Sequence, residues 1–395
     1  MIGGMVVSRR QFAIGLATAG AALAFERWAG AQPLRPVANG RLDGVMPLGR
    51  FDGRPTPPLH TLLGAGLDAR QFTDLSALDA GSLLTPTEHF YIRTAHPPSL
   101  PAAATWRAAL GGLVAREQAL DVRALLSDAR DTGTHLMECA GNADPANFGL
   151  LSAATWSGLP MASVLDRVQR LPDARRIRVT GIDDEQRASV TSNPGASWVF
   201  TPAELERTGA FLATGMNGAP LTVDHGAPVR LVVPNYYGCS CIKWVSRIDW
   251  VTDDEPATSQ MMEFSARTHQ TGVPRLARDY EPPVIDLAAA PIRVERWMVT
   301  RGGRERVVYR VVGIRWGGSA REAPLTIRLR SREPFVPVTN CPSTDNPTTW
   351  SLWSHEWTPD AAGRYQIALS TLDRTTRVRR LELYYYTREV DIDRV

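Results

Sequence analysis

The spacing of apolar and polar positions divides the chain into two differently patterned regions. Between residues 88 and 255, short apolar runs typical of strands alternate with segments of helical spacing. Between residues 275 and 395, strand patterns recur between glycine and proline turns, which is typical of a β-sandwich. Residues 32–87 are rich in proline, glycine and arginine without sustained periodicity, so we predict an extended arm that wraps the first domain.

The same spacing predicts individual elements. In the first region we expect strands at residues 89–93, 134–138, 177–181 and 229–233, and helices at residues 120–129 and 162–168. In the second region we expect strands at residues 306–312, 325–329, 364–369 and 378–386. Strands mixed with helices, without a glycine-rich phosphate loop, favour an α+β fold over a doubly wound sheet for the first region.

Composition and charge narrow the classes of partner. The chain has 395 residues, of which 44% are hydrophobic and 22% charged, as in ordinary globular proteins of two domains. A formal net charge of +3 and the lack of any block of like charge argue against nucleic acid or an anionic membrane as a partner. No segment reaches the roughly 20 uninterrupted apolar residues of a membrane span.

The N-terminus has the pattern of an export signal. Ser-Arg-Arg-Gln-Phe at residues 8–12 precedes an apolar run at residues 13–25, and Ala-Gly-Ala at residues 29–31 offers a cleavage site. We therefore predict a twin-arginine signal at residues 1–31, and a mature periplasmic protein that begins near Gln32. An ordinary secretion signal and a retained amphipathic anchor are the alternatives.

Four cysteines constrain the redox chemistry: Cys139, Cys239, Cys241 and Cys341. No Cys-x-x-Cys pair is present for zinc and no Cys-x-x-Cys-His for covalent haem, so we expect no haem in this chain. Cys239 and Cys241 are too close for a relaxed disulfide with each other, and pairing of either with Cys341 stays open.

Cys139 stands in a segment suited to holding a metal cofactor. Residues 135–142 read His-Leu-Met-Glu-Cys-Ala-Gly-Asn, where a thiolate is a soft ligand and the small residues after it let a bulky group approach the backbone. Lys243 is the only lysine among 44 basic residues, which indicates a position where a compact ammonium charge is needed.

Four segments in sequence carry a resemblance to a known family. Residues 135–142, 216–221, 224–230 and 238–244 resemble, in order, the segments that hold molybdopterin in sulfite oxidase-type oxidoreductases. The resemblance implies a molybdopterin-binding domain followed by an immunoglobulin-like dimerisation domain, and hence a homodimer. It also implies a molybdenum-molybdopterin cofactor and an external electron-transfer protein, for which a c-type cytochrome is expected.

The resemblance also assigns roles to residues. Cys139 is implied as the thiolate on molybdenum and Arg93 as the arginine that opens the site. Asp144, which departs from the family pattern, is predicted as a third catalytic residue. The implied cofactor-binding residues are Tyr91, Arg93, Cys139, Asp183, His225, Arg230, Cys241, Ile242 and Lys243. Such a set is chemically coherent, because a pterin phosphate needs cations and N–H donors.

Two departures from the family bear on the substrate. Sulfite-oxidising members follow Cys-Ala-Gly-Asn with two arginines, where this chain has Ala143 and Asp144. A carboxylate facing the substrate would disfavour an anion by several kcal/mol, so we expect a neutral or cationic compound. Alternatively, Asp144 caps a helix. The family's active-site tyrosine aligns without gaps with Phe264, and Tyr280 could serve if the loop differs.

We therefore expect a periplasmic enzyme that transfers an oxygen atom with two electrons, acting on a small sulfur or nitrogen compound rather than as a typical sulfite oxidase. The alternatives on this scaffold are a sulfite dehydrogenase and a sulfoxide or N-oxide reductase. A cysteine hydrolase using Cys139 and His135 is disfavoured, because four residues along a strand exceed hydrogen-bond reach. A binding protein without cofactor is the last alternative.

Overall fold

A computed structural model describes most of the chain. The described residues are 34–48, 58–78, 83–142, 148–183, 189, 192–318, 324–341, 348–371 and 387–395. Strands predominate in them, and their α-helices have only five to seven residues. No helix in the described part has the length and apolar character needed to cross a membrane. The predicted signal at residues 1–31 and the predicted strand at residues 378–386 lie outside the described residues.

The elements follow one another in three groups. The first group is β1 (Gly40–Pro47), β2 (Arg107–Gly112), β3 (Gln118–Asp121), α1 (Val122–Asp128), β4 (Arg130–Glu138) and β5 (Leu151–Pro160). The second is α2 (Met161–Leu165), β6 (Arg176–Gly181), β7 (Ser197–Phe200), α3 (Pro202–Thr208), β8 (Phe211–Met216), β9 (Ala219–Pro220), β10 (Arg230–Val232), β11 (Val245–Val251) and α4 (Ser259–Phe264). The third is β12 (Ala288–Arg301), β13 (Arg304–Trp316), β14 (Leu325–Arg328), β15 (Val336–Pro337), β16 (Ser351–Trp357), β17 (Gly363–Thr371) and β18 (Arg388–Ile392).

These strands form four sheets. One has the order β3-β2-β11-β6-β7, with β2 and β11 parallel and its other neighbours antiparallel. An antiparallel sheet has the order β10-β8-β5-β4, with β9 paired to β8. The second region forms two antiparallel sheets, β1-β12-β13-β16 and β15-β14-β17-β18. The strands predicted at residues 306–312, 325–329 and 364–369 lie in these sheets, while the sandwich and its likeness to an immunoglobulin domain stay predictions.

Local sequence explains several boundaries. In β6, residues alternate between half-buried and buried, as expected of a strand that covers a core with one face. The helix α3 begins at a capping box between Thr201 and Glu204, with proline at its first position, and ends at Gly209 in the left-handed region at φ 64°. The strands predicted at 134–138, 177–181 and 229–233 are confirmed, and the helices predicted at 120–129 and 162–168 are confirmed in shortened form.

The strand predicted at residues 89–93 is wrong. The chain there forms a 3₁₀ turn, Thr87–His89, followed by a single bridge between Ile92 and Gln71. Side chains take the place of a neighbouring strand: the Gln71 amide donates to the Phe90 carbonyl at 3.1 Å, and the Ser152 hydroxyl accepts from the Tyr91 amide at 3.0 Å. The backbone is satisfied without a ladder, so apolar content alone misled the prediction.

Part of the predicted arm pairs with the second region rather than with the first domain. Its residues 40–47 form β1, the edge strand that pairs with β12, so this part of the arm belongs to a sheet of the second region. A buried ion network also binds the second region to parts of the arm outside β1. In it, Glu295 accepts from Arg293 at 3.0 Å and from Arg310 at 2.8 Å. Arg310 in turn donates to the carbonyl of Arg35, and Arg293 to that of Leu78.

Removing the carboxylate of Glu295 should destabilise the protein strongly. Glu295→Ala leaves Arg293 and Arg310 buried without a counter-charge, so we expect a loss of about 3–5 kcal/mol in the free energy of unfolding, measured by chemical denaturation. Glu305→Ala, on an exposed position of β13, is the matched control and should change stability by less than about 0.5 kcal/mol. Equal losses in the two variants would contradict the role of the network.

Candidate active site

Cys139 lies where β4 ends and the chain turns. Its side chain is 4% exposed, and the Gly141 amide donates to its Sγ at 3.3 Å. The Asn142 amide donates to the carbonyl of Cys139 at 2.9 Å, which closes the turn. A Cβ atom at position 141 would lie 3.0 Å from Nη1 of Arg267 and 3.6 Å from Sγ of Cys139. Glycine at this position therefore lets a cation lie close to the thiol.

One pocket gathers the residues that the sequence predicted. It encloses about 850 Å³, including its open mouth, which is within the range of sites for small molecules and cofactors. The predicted cofactor-binding residues that line it are Tyr91, Arg93, Cys139, Asp183, His225, Arg230, Cys241, Ile242 and Lys243. The predicted catalytic residue Asp144 lies outside the described residues.

Lys243 directs its ammonium group at main-chain carbonyls in the pocket wall. Nζ donates to the carbonyl of Asp224 at 2.9 Å and to that of Thr94, and it lies 4.4 Å from the centre of the Trp244 ring. Burial, followed by the charge of Arg230, holds the pKa of Lys243 well below its usual value. The repulsion from Arg230 favours an anion as the occupant of the pocket, and the charges of Asp224 and Asp183 act on Lys243 in the opposite direction.

Arg230 is a buried cation with an unused donor. Its side chain is 4% exposed, Nη1 donates to the carbonyl of His225 at 3.1 Å, and Nη2 donates to that of Cys241 at 3.2 Å. Its Nε is buried and has no partner among the described residues. A buried donor without an acceptor is costly, so an anionic oxygen in the pocket would stabilise this residue. The site therefore fits a cofactor that carries a phosphate.

His225 is held as a neutral imidazole. Its Nε2 lies 3.3 Å from the Phe90 carbonyl, which can only accept, so Nε2 carries the hydrogen. Nδ1 then accepts from the hydroxyl of Thr222 at 2.6 Å. Burial and the charge of Lys243 lower the pKa of His225 to about 4. A bound phosphate would oppose that shift, because it favours the protonated form.

Tyr91 and Cys241 line the pocket as neutral groups. Burial and a charge at Cys139 raise the pKa of Tyr91 well above its usual value, and burial raises the pKa of Cys241. A Cβ atom at Gly238 would lie 2.7 Å from the Tyr91 hydroxyl, so glycine is required for this approach. All four cysteines are free thiols in the structure, including Cys239, which also lines the pocket.

Asp183 and Arg93 carry opposite charges and line the same pocket. The Asp183 carboxylate accepts from the Gly195 amide at 2.8 Å, and Nη1 of Arg93 donates to the carbonyl of Leu67 at 2.9 Å. Both charges act on the ammonium of Lys243: Arg93 lowers the pKa of Lys243 and Asp183 raises it. The charges of Asp183, Arg93 and Lys243 therefore influence one another.

Sequence reasoning missed two arginines near the thiol. Arg70 donates to the Leu67 carbonyl at 2.9 Å, and its pKa falls to about 10 through burial and the charge of Arg93, against an opposing effect of Cys139. Arg267 is exposed, but it approaches the Cys139 turn at Gly141. Neither arginine belongs to a motif that the sequence shows. Both are far from Cys139 along the chain, and only tertiary contacts bring them to the site.

The structure decides between the two candidate aromatic residues. Phe264 lines the pocket, and the Arg267 guanidinium lies 5.7 Å from the centre of its ring. Tyr280 does not line the described pocket wall. Its hydroxyl is buried elsewhere and has no partner among the described residues. His135, the base of the hydrolase alternative, is also absent from that wall, and its Nε2 instead lies 2.7 Å from the Thr132 carbonyl.

Comparisons with known proteins show which domain the chain resembles. Residues 95–259 match the family model of the oxidoreductase molybdopterin binding domain. The chain is 29% identical to the NADPH nitrate reductase of Aspergillus niger over 215 residues, which cover 50% of this chain and 24% of that protein. It is 27% identical to the sulfite oxidase of Gallus gallus over 201 residues, which cover 47% of this chain and 43% of that protein. The matches thus span less than half of either relative.

A solved structure shows the same fold. The sulfane dehydrogenase SoxCD from Paracoccus pantotrophus superposes with a TM-score of 0.60 at 16% sequence identity, covering 88% of this chain and 91% of that chain. Together with the matched family model, this likeness gives the chain a molybdopterin-binding oxidoreductase fold with many strands and few helices.

The neutral His225 should make stability depend on pH. The unfolded chain binds the proton near pH 6.5 and the folded site only near pH 4, so the stabilisation is complete above pH 6.5 and is lost as the pH falls toward 4. At pH 4.5, cofactor-free wild type should have lost about 2.5 kcal/mol through this residue. His225→Gln should lack that part of the loss. Denaturation of both proteins at pH 7 and 4.5 tests this, and equal losses would contradict it.

Proposed function

Because the chain contains an oxidoreductase molybdopterin binding domain of the sulfite oxidase type, we propose that it is a molybdenum-dependent oxidoreductase. The observation that carries this proposal is a pocket whose wall contains Cys139 together with the buried Arg230 and the half-buried Lys243. Among the described residues, no three His, Cys, Asp or Glu side chains are grouped as a metal site.

The residues present fit a molybdopterin with a phosphate. When bound, the cofactor supplies the two-electron redox chemistry, and the protein supplies position and electrostatics. Cys139 is the proposed thiolate ligand of the metal. Arg230, Lys243 and His225 would bind the phosphate, and the Nε of Arg230 is a buried donor without a partner among the described residues. Asp183 holds the loop at Gly195 beside them.

The proposed reaction transfers an oxygen atom to a small sulfur or nitrogen compound. Oxidation adds one oxygen atom from water and releases two protons and two electrons. An external electron-transfer protein, for which we propose a c-type cytochrome, would accept the electrons, since the chain lacks a Cys-x-x-Cys-His haem motif. A sulfoxide or N-oxide reductase is the same chemistry in reverse, and dye-linked assays in both directions separate the two.

The substrate proposal depends on Asp144. The carboxylate replaces a guanidinium of sulfite-oxidising enzymes, which favours a neutral or cationic substrate over sulfite. A specific observation favours the alternative, a sulfite dehydrogenase: Arg267 approaches the Cys139 turn from another part of the chain, and Arg70 and Arg93 add positive charge. An anion could therefore be held without the missing arginine.

Location and assembly are further proposals from the sequence. The Arg9-Arg10 pair and the apolar run that follows support twin-arginine export, and hence a periplasmic protein. A homodimer formed by the second region follows from the family resemblance. These two proposals are independent of the chemistry of the pocket.

Replacing the proposed metal ligand should abolish turnover without unfolding the protein. In Cys139→Ser, the phosphate-binding residues persist while the soft thiolate is lost, so we expect retained pterin and almost no activity. Cys341→Ser is the control, because Cys341 is absent from the described pocket wall. Pterin and molybdenum analysis with activity assays decide the matter. Full activity of Cys139→Ser would overturn the assignment.

Sulfite assays on charge variants should identify the substrate class. If Asp144 faces the substrate, wild type oxidises sulfite poorly. Asp144→Arg then raises kcat/KM for sulfite about 10-fold or more, as expected for one charge-assisted contact of roughly 1.5–3 kcal/mol.

The arginine variants test the alternative in the same assay. If wild type oxidises sulfite well, Arg267→Ala should lower kcat/KM by about 10-fold or more. Arg275→Ala removes an exposed charge outside the described pocket wall and should have no effect. Good sulfite oxidation that neither Asp144→Arg nor Arg267→Ala alters would contradict both substrate assignments.

A further inference from the structure

We propose that Trp316 and Glu138 are positioning residues that hold the Cys139 turn in place, so that the second region directly sets the geometry of the proposed metal ligand. This inference rests on the proposed function only in that Cys139 is taken as the ligand. The residues whose contacts carry it, Trp316, Glu138 and Asn142, are not part of the described pocket wall.

A chain of hydrogen bonds runs from the second region to the turn. Nε1 of Trp316 donates to Oε2 of Glu138 at 2.8 Å, across 178 positions of sequence. Oε1 of Glu138 accepts from the side-chain amide of Asn142 at 3.2 Å, and the oxygen of that amide accepts from the Leu150 amide at 3.2 Å. Glu138 and Asn142 flank Cys139, so the bonds brace both ends of its turn.

Burial makes this brace rigid. Glu138 is 0% exposed, Trp316 2% and Asn142 3%. A buried carboxylate requires donors, and the indole is a single fixed donor whose ring cannot rotate without repacking. The ring also contacts Phe148, which follows the turn, with centroids 5.8 Å apart. The position of the indole therefore determines where the carboxylate, and with it the turn, can lie.

The second region also holds the strand that leads to Cys139. The strand β4 is an edge of its sheet, paired only with β5 within that sheet. On its free side, the Leu136 amide donates to the carbonyl of Thr348 at 2.7 Å, and the Thr348 hydroxyl donates to the carbonyl of Thr134 at 2.9 Å. Edge strands fray unless their free groups are bound, so these bonds and the indole act together.

The test compares two tryptophans of the same sheet in the full-length protein. Trp316→Phe removes the donor to Glu138 and keeps an aromatic ring. Trp353→Phe is the matched control, because Trp353 is equally buried but its Nε1 donates to the carbonyl of Ile314 at 3.0 Å, away from the turn. Both variants lose comparable packing, and only the first loses the brace.

In the loaded enzyme, Trp316→Phe should retain pterin and lower kcat by about 10- to 100-fold with little change in KM, as expected when support of a metal ligand is lost. The electron paramagnetic resonance spectrum of the molybdenum should shift in this variant and match wild type in Trp353→Phe. An unshifted spectrum in Trp316→Phe, or equal shifts in both variants, would overturn the proposal.

A second variant covers the case in which Trp316→Phe fails to fold. Glu138→Gln keeps the volume, but its amide cannot accept from both Trp316 and Asn142, since one of its two polar atoms is a donor. One link of the chain must break, so the same spectral shift is expected. A folded Glu138→Gln with the wild-type spectrum would also overturn the proposal.

A measurement without metal separates this inference from the proposed function. In full-length protein from a host without molybdopterin, mass spectrometry gives the rate at which iodoacetamide alkylates Cys139. Trp316→Phe should expose the thiol and react several-fold faster than Trp353→Phe, and equal rates would refute the brace. Wild type that binds no molybdenum in a competent host would refute the proposed function instead, whatever the alkylation rates are.

Discussion

The pocket depends on how the buried charge of Arg230 and the half-buried charge of Lys243 are held. Both side chains donate to main-chain carbonyls of other segments, and the charges of Asp224 and Asp183 also act on Lys243. Those carbonyls belong to Asp224 and His225 in one turn and to Cys241 in another segment. Lys243 also donates to the carbonyl of Thr94, so the two cations hold three segments together. Carbonyl dipoles orient a cation but leave its charge, so Arg230 and Lys243 stay able to bind a phosphate in a wall that also contains Asp183, Asp224 and Glu263.

The contiguous part of the site could be predicted from sequence because its chemistry is unusual. A lone lysine in an arginine-rich chain has a physical reason in the structure: a compact ammonium can donate to two converging carbonyls, where a planar fork would not fit equally well. The motif around Cys139 could also be predicted from sequence, since the strand, the thiol and the small residues are neighbours along the chain. Arg70 and Arg267 were not readable, because only the tertiary fold brings them to the turn.

The fold was predictable wherever hydrophobic periodicity decides, as in β6 with its alternating burial. It was not predictable where polar side chains replace ladder hydrogen bonds, as Gln71 and Ser152 do around residues 89–93. The pairing of β1 with β12 was also hidden. Its strand exposes Leu42 and Val45, so its pattern does not indicate a core face, and its partner lies some 250 positions away in sequence.

The two regions cannot be understood as a catalytic unit and an independent appendage. Cys139 follows the last residue of an edge strand, which is the least constrained place in a sheet, yet a metal ligand must be held within a fraction of an ångström. The second region resolves this conflict, because Thr348 binds the free edge of β4 and Trp316 binds the carboxylate next to the thiol. A boundary drawn between the regions by sequence pattern therefore divides the chain but not the site, and substitutions far along the chain can act on the proposed ligand through these bonds.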